Sequence, residues 1–348
     1  MILPPQTLTG AWGREHLRLH RLLLRQPALL PDGAALLLAV SGGQDSMALL
    51  GLLLGLQRLH GWRLLLWHGD HGWRNESADQ AAELADWCAQ RGLTLLRDRQ
   101  AATAGSSEAE ARQWRYACLE RRAREHHCSV VVTGHTASDR AETLLLHLAR
   151  GSHRRGLASL RQQRPLAEGL VLSRPLLIVS RSETAQICRD LGLPVWLDAS
   201  NDDRRFSRNR LRHEVLPVLE QLHPGAARRL SGTAERLSRE HDSQREWLQI
   251  ALAWLAASQG SSDPDGQDNP TSLDRLRFNT LQPSNRAALL HHWLSCANGE
   301  PPQARQLDDL LARIAAGRPP GQCALAGGWQ LHWDRSRLVL IAPPEPRR

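Results

Sequence analysis

The 348-residue chain contains no lysine: all 44 of its basic residues are arginine. That absence excludes a Walker A phosphate loop, which needs a Lys ahead of its Ser/Thr. The six cysteines, at 88, 118, 128, 188, 296 and 323, include no Cys-x-x-Cys pair. Zinc ribbons, iron–sulfur clusters and a secreted disulfide framework therefore lack support, and reduced, mostly buried thiols are the default. No apolar run is long enough to span a membrane and no signal peptide is visible. A cytoplasmic protein with no membrane partner is the expectation. No internal repeat is found.

What is present points elsewhere. Against the arginines stand 36 acidic residues, which leaves a net charge of +8. Such an excess suits a polyanionic partner, most simply nucleic acid, although an Arg-only composition also follows from GC-rich codons. The length allows two domains, each with its own core.

Over the first two hundred residues, strand-like and helix-like segments alternate. Apolar runs at 34–40, 63–67, 93–96 and 130–133 read as buried strands. Helical stretches lie at 47–59, 78–91, 108–126 and 141–150, after a first, basic helix at 14–25. Four βα units imply an α/β fold with a doubly wound parallel sheet and ligands at the carboxyl ends of its strands. Past residue 151 the alternation stops. A helix at 181–191, an irregular stretch to 208 and further helical patterning lead to a Gly/Ser/Asp/Pro-rich loop or linker at 259–272. A hairpin-like end at 322–341 turns near 334–336. The expected division is a catalytic domain at 12–222 and a smaller, mainly helical domain at 223–348.

The most telling segment is Ser41-Gly-Gly-Gln-Asp-Ser46, between the first strand and the first helix of the alternation. Gly42 and Gly43 let the backbone wrap closely around a phosphate, and the helix start adds N–H groups and a positive dipole end. Ser41, Gln44 and Ser46 can contribute polar contacts, and Asp45 can hold a Mg²⁺ that bridges phosphate oxygens. The pattern resembles the pyrophosphate loop of the ATP pyrophosphatases.

Four more segments fall where such a sheet places its active site. His68-Gly-Asp70-His71 closes the second strand as a nucleotide or substrate loop, with a metal site or a plain turn as alternatives. Gly134-His135 to Thr143 closes the fourth strand; its Asp139 and Glu142, three apart on one helix face, could bind a cation or an amine. Ordinary acidic bias at a helix start is the plain reading. Arg112 and Arg115 could reach phosphates or simply form a solvated helix face. Arg208, Arg210 and Arg212 place dense positive charge beside a turn, suited to RNA phosphates or simply to a solvated face.

Together these segments closely resemble the tRNA(Ile)-lysidine synthases. Beyond the loop, the resemblance runs through His68 to Arg74, Gly134 to Thr143, Arg150 to Leu157 and Arg174-Pro-Leu-Leu177. It continues in Asp198-Ala-Ser-Asn201 and in Arg208-Asn-Arg-Leu-Arg212 to Leu216-Pro217, covering about residues 30–220 in order and spacing. Departures are Ser138, where the family usually has Asp, Arg140, where Gln is usual, and Leu197, where an acidic residue is common. Asp139 and Glu142 remain, so the site reads as intact.

The resemblance implies an ATP-dependent ligase that joins free L-lysine to C2 of the wobble cytidine of a CAU-anticodon tRNA(Ile). The cytosine carbonyl oxygen is a poor leaving group; adenylating it, with pyrophosphate released, lets the lysine ε-amine displace AMP. In that scheme residues 41–46 hold ATP with Mg²⁺ on Asp45, and Asp139 and Glu142 take the lysine ammonium. Arg112 and Arg208 serve the reacting phosphate, Arg115, Arg210 and Arg212 contact tRNA, and His68, Asp70, His71 and His135 line the substrate loops. The second domain would grip the tRNA. Homodimer formation is left open. A tRNA thiolase, an amidating or NAD-forming pyrophosphatase and an inactive RNA-binding module remain as alternatives. The thiolase would need paired cysteines, and the inactive module a damaged loop.

Overall fold

The computed structural model describes residues 12–70, 76–100, 108–152, 154–158, 160–196, 204–257, 270–298 and 302–344. Two compact units result, Met1–Arg239 and Glu240–Arg348.

In the first unit, α1 (Arg14–Arg25) precedes β1 (Ala35–Ala39), α2 (Gln44–His60), β2 (Arg63–Asp70), α3 (Glu76–Ala89) and β3 (Leu95–Arg99). Then follow α4 (Glu108–Glu125), β4 (Val130–Val132), α5 (Ala137–Ala149) and the short α6 (Arg154–Leu157). The sheet order is β3-β2-β1-β4-β6-β5, where β5 (Gln163–Ala167) and β6 (Leu170–Ser173) form a hairpin. Every pairing is parallel except that of β5 with β6 at the edge. The sequence reading missed this hairpin; its local signal is the Glu168-Gly169 turn, with Gly169 at φ +69°.

Alternation along β1 explains the double winding. Leu36 and Leu38 face a core shared with α1 and α2, while Leu37 faces Leu119 of α4 and Val131 of β4. All three leucines are wholly buried, so each Leu→Ala change should cost about 2–5 kcal/mol.

The helices α7 (Arg181–Asp190), α8 (Ser207–Arg210) and α9 (Leu216–Leu222) complete the outer layer, with a π-helical turn at Leu211–Val215. Pro217 has no N–H for the carbonyl of His213, and the widened turn lies just before it. Helix α10 (Ala226–Ala257) belongs to both units. Its first turns pack on the first unit: Ala227 and Ala234 are buried, and the Ser231 hydroxyl donates to the Leu177 carbonyl at 3.1 Å. The first compact unit runs on to residue 239, so the start of α10 belongs to it.

The second unit is mainly helical, as expected, and adds a small antiparallel sheet. It has α11 (Arg275–Thr280), α12 (Pro283–Asn298) and α13 (Ala304–Ile314), beside an antiparallel sheet ordered β7-β10-β9-β8. Here β7 is Ser272–Asp274, β8 Gly321–Ala324, β9 Gln330–Trp333 and β10 Arg337–Ile341. The hairpin turn falls between β9 and β10, at 334–336 as expected. Trp293, Phe278, Leu331 and Leu338 are fully buried in its core. Ser272, expected in the linker, is already in β7, and residues 258–269 lie outside the described residues.

Candidate active site

Strand order reverses between β1 and β4, which pair through Leu36–Val130, Leu37–Val131 and Leu38–Val132. Their carboxyl ends form the switch-point crevice of an open α/β sheet. One strand leads into residues 41–46, the other into 133–142, so adjacency in the sheet brings together segments a hundred residues apart. The approach is tight. A Cβ on Gly134 would lie 3.0 Å from the Asp45 carbonyl oxygen, so only glycine fits there without movement.

The phosphate loop is tied by its own hydroxyls. Ser46 Oγ donates to the Gly43 carbonyl at 2.8 Å and accepts the Ser41 N–H at 3.1 Å. Gly42 has φ +81°, the left-handed conformation that favours glycine. Gln44 faces α7 rather than the loop: its amide donates to the Arg181 carbonyl at 2.6 Å and Thr184 Oγ1 at 2.8 Å.

Asp45 is held by Arg181 at 3.1 Å and by the Thr184 hydroxyl. Burial, and then the nearby charge of Asp139, raise its carboxyl to about 6. The chemistry suits Mg²⁺: a hard oxygen donor in an excess negative field that a cation would relieve, with phosphate oxygens to complete the shell. No group of three or more metal-ligating side chains exists among the described residues, so any such ion leans on its substrate.

Helix α5 begins at Ala137, four residues earlier than expected, because Thr136 caps it. Asp139 is the third residue of a reciprocal capping box: its Oδ2 accepts the Thr136 N–H at 2.8 Å and hydroxyl at 2.9 Å. Asp139 and Glu142 do share one face, but both are buried and already hold two guanidiniums. Arg208 reaches Glu142 at 2.7 Å and Asp139 at 2.9 Å; Arg212 reaches them at 2.8 and 3.2 Å. Burial pushes Asp139 up, but Arg208 and the Thr136 N–H outweigh it and hold the carboxyl below its ordinary range. Arg212, expected at an RNA surface, is instead drawn inward as a strut of this four-charge cluster. Arg210 points away and pairs with Glu214 at 3.1 Å on the exposed side.

His135 lies beside the cluster, its Nδ1 2.9 Å from Thr133 Oγ1. Burial, joined by Arg174, Arg208 and Arg112, lowers it to about 3, so it is neutral at working pH. Arg112 thus sends its charge into the site although its guanidinium rests over the Tyr116 ring. Arg115 is exposed on the same helix. Buried His68 donates to the Val40 carbonyl at 2.8 Å, and Asp70 faces Arg99 at 3.4 Å; these groups brace β2. His71, Trp73, Arg74 and Asp198 to Asn201 fall outside the described residues.

The departures from the family pattern have local uses. Ser138 Oγ accepts the Arg181 N–H at 3.1 Å at the start of α7. Arg140 is buried, donating to the Leu160 carbonyl at 3.0 Å and to Glu235 of α10 at 2.8 Å. Sequence reasoning named Arg174 only within the family resemblance and missed Arg181, Thr184 and Trp196, whose contacts with the loop come from far along the chain.

The phosphate loop at a switch point of a mostly parallel sheet defines an ATP-using enzyme of the PP-loop class. A PP-loop domain family matches residues 18–219, and the TilS substrate binding domain family matches residues 273–339. The tRNA(Ile)-lysidine synthase of Parasynechococcus marenigrum is 51% identical over 340 residues, 97% of each chain. That of a Prochlorococcus marinus strain is 40% identical over 95% of this chain and 97% of its own. The chain belongs to the tRNA(Ile)-lysidine synthase family. In fold it also resembles the U34-tRNA thiolase NcsA from Methanococcus maripaludis, with a TM-score of 0.55 and 18% identity over 68% of this chain and 85% of that one.

Proposed function

We propose that the chain makes lysidine by adenylating the wobble cytidine of the CAU-anticodon tRNA(Ile) and then displacing AMP with free L-lysine. The codon read changes from AUG to AUA. The observation that carries this reading is the meeting of the phosphate loop with Asp139 and Glu142 at one crevice.

Residues 41–46 hold the β- and γ-phosphates, aided by the N–H groups of the first turn of α2. Asp45 would hold Mg²⁺, which would supply charge neutralisation for the departing pyrophosphate. The C2 oxygen of the cytidine attacks the α-phosphorus, and pyrophosphate leaves. Arg112 and Arg208 offset charge at that phosphorus.

Asp139 and Glu142 then serve the lysine. They already bind two cations side by side, so an ammonium can take the place of one guanidinium with no change in net charge. Arg208 is the exchangeable partner, with 31% of its side chain exposed against 13% for Arg212. The amine has a reference pKa of about 10.4 and must lose a proton before attacking; a carboxylate in contact is placed to take it. The nitrogen bonds to C2, and AMP departs with the former carbonyl oxygen. Arg115 and Arg210, both exposed on the first unit, contact the tRNA from which the target cytidine is presented.

Incubation with ATP, labelled lysine and tRNAs bearing CAU anticodons tests the reading. Incorporation into the isoleucine tRNA and not the methionine tRNA is expected; none in an ATP-binding preparation overturns it. Glu142→Gln should raise the KM for lysine about a hundredfold, the weight of a lost charge-assisted contact. An unchanged KM removes the pair from lysine binding.

A further inference from the structure

We propose that Trp196 is a positioning residue for the phosphate loop, holding Gly42 so that the loop offers N–H groups and not a carbonyl to a phosphate chain. The inference rests on the pyrophosphate-loop reading above and extends it to a residue outside the motif.

A glycine turn is a weak cradle by itself. Without a Cβ on either side, the peptide between Gly42 and Gly43 can flip, which would aim the Gly42 oxygen where a phosphate oxygen must sit. Two like-charged oxygens there repel, so the flip must be suppressed before ATP arrives. The motif secures half of this alone. The Gly43 carbonyl is taken by Ser46 Oγ at 2.8 Å and by the Met47 N–H at 3.0 Å. The Gly42 carbonyl has no such partner within the loop. It accepts the Trp196 N–H at 3.0 Å, from a residue 154 positions further on.

The indole reinforces that bond. Its Cε3 lies 3.1 Å from where a Gly42 Cβ would stand, so the ring closes the space the Gly42 backbone would swing through. Its Nε1–H donates to Glu83 Oε2 on α3 at 2.6 Å, which fixes the ring's orientation. Gly42, Trp196 and Glu83 thus join the loop, the segment after α7 and α3 into one bracket. The orphan N–H groups of Gln44, Asp45 and Ser46 then point forward with no competing carbonyl.

Equilibrium binding of inorganic pyrophosphate to the intact enzyme tests this, together with the separate KM values for ATP and lysine. Trp196→Ala should weaken pyrophosphate and raise the KM for ATP about tenfold, with the lysine KM within about twofold of wild type. Trp196→Phe keeps the ring but loses the indole donor, so it should show a smaller rise that Glu83→Ala matches. Glu83→Gln keeps an acceptor and should restore near wild-type values. A wild-type pyrophosphate affinity in Trp196→Ala overturns the proposal. Should that variant not fold, wild-type affinity in both Trp196→Phe and Glu83→Ala overturns it equally. A wild-type enzyme that binds no pyrophosphate would instead sink the phosphate-loop reading.

Discussion

The two units divide the labour of the chain by charge. Residues 1–239 carry 33 arginines against 24 acidic residues, while residues 240–348 carry 11 against 12. The whole positive excess therefore belongs to the unit with the phosphate loop. Their architectures differ in the same sense. The first unit spends a parallel sheet on a crevice lined with buried ions; the second wraps helices and an antiparallel sheet around Trp293, Phe278 and leucines. Counterion release, the long-range part of RNA binding, scales with phosphates neutralised by cations. A net-neutral unit adds little to it. The proposed grip of the second unit on tRNA would then rest on short-range contacts and shape rather than on net charge.

The largest effect that would sharpen this contrast is Asp45→Ala, which should reduce lysine incorporation to background while tRNA binding in a filter assay stays near wild type. Activity near wild type would take the chemistry away from the loop. Next comes the core of the second unit. Trp293→Ala should cost about 4 kcal/mol of stability there, while pyrophosphate binding to the first unit persists. Joint loss of both would show that the units do not stand apart. A subtler test reads the salt dependence of tRNA affinity. Arg210→Gln should lower the log–log slope by about 1, whereas Arg305→Gln, exposed in the second unit, should leave it unchanged. Equal slopes for the two variants would break the charge partition.

The smallest effect concerns acid. Burial lowers His16, His68 and His135 in the first unit and His292 in the second from an ordinary 6.5. Each binds its proton more weakly folded than unfolded, where it titrates near 6.5, so its stabilisation is present above 6.5 and fades as pH falls through it. Asp45, raised to about 6, acts in the opposite direction between roughly 6 and 4 but is one group against three. Thermal unfolding of the first unit should move down between pH 7 and pH 5 by more than that of the second. Equal shifts would contradict it.

Legibility followed the range of the interaction. The phosphate loop could be read because strand, glycines and helix start are consecutive, and Asp139 and Glu142 because three residues span one helical turn. The hairpin β5–β6 escaped notice because its strands are short and weakly apolar. Arg212 was misplaced because charge density along the chain resembles a solvated face; only the position of α5 shows that two carboxylates wait for it. Arg181, Thr184 and Trp196 carry no local signature at all.

By itself, the sequence determined the four parallel strands β1 to β4, the anion-binding turn, the acidic helix start and the family, since each rests on short segments read along the chain. Tertiary structure alone decided that β1 lies beside β4, which brings Asp45 near Asp139, and that Arg208 and Arg212 close over the acidic pair. It also decided that Trp196 backs the loop at Gly42. These are outcomes of burial and strand pairing between distant segments, where the free energy depends on what else is packed nearby rather than on the order of residues.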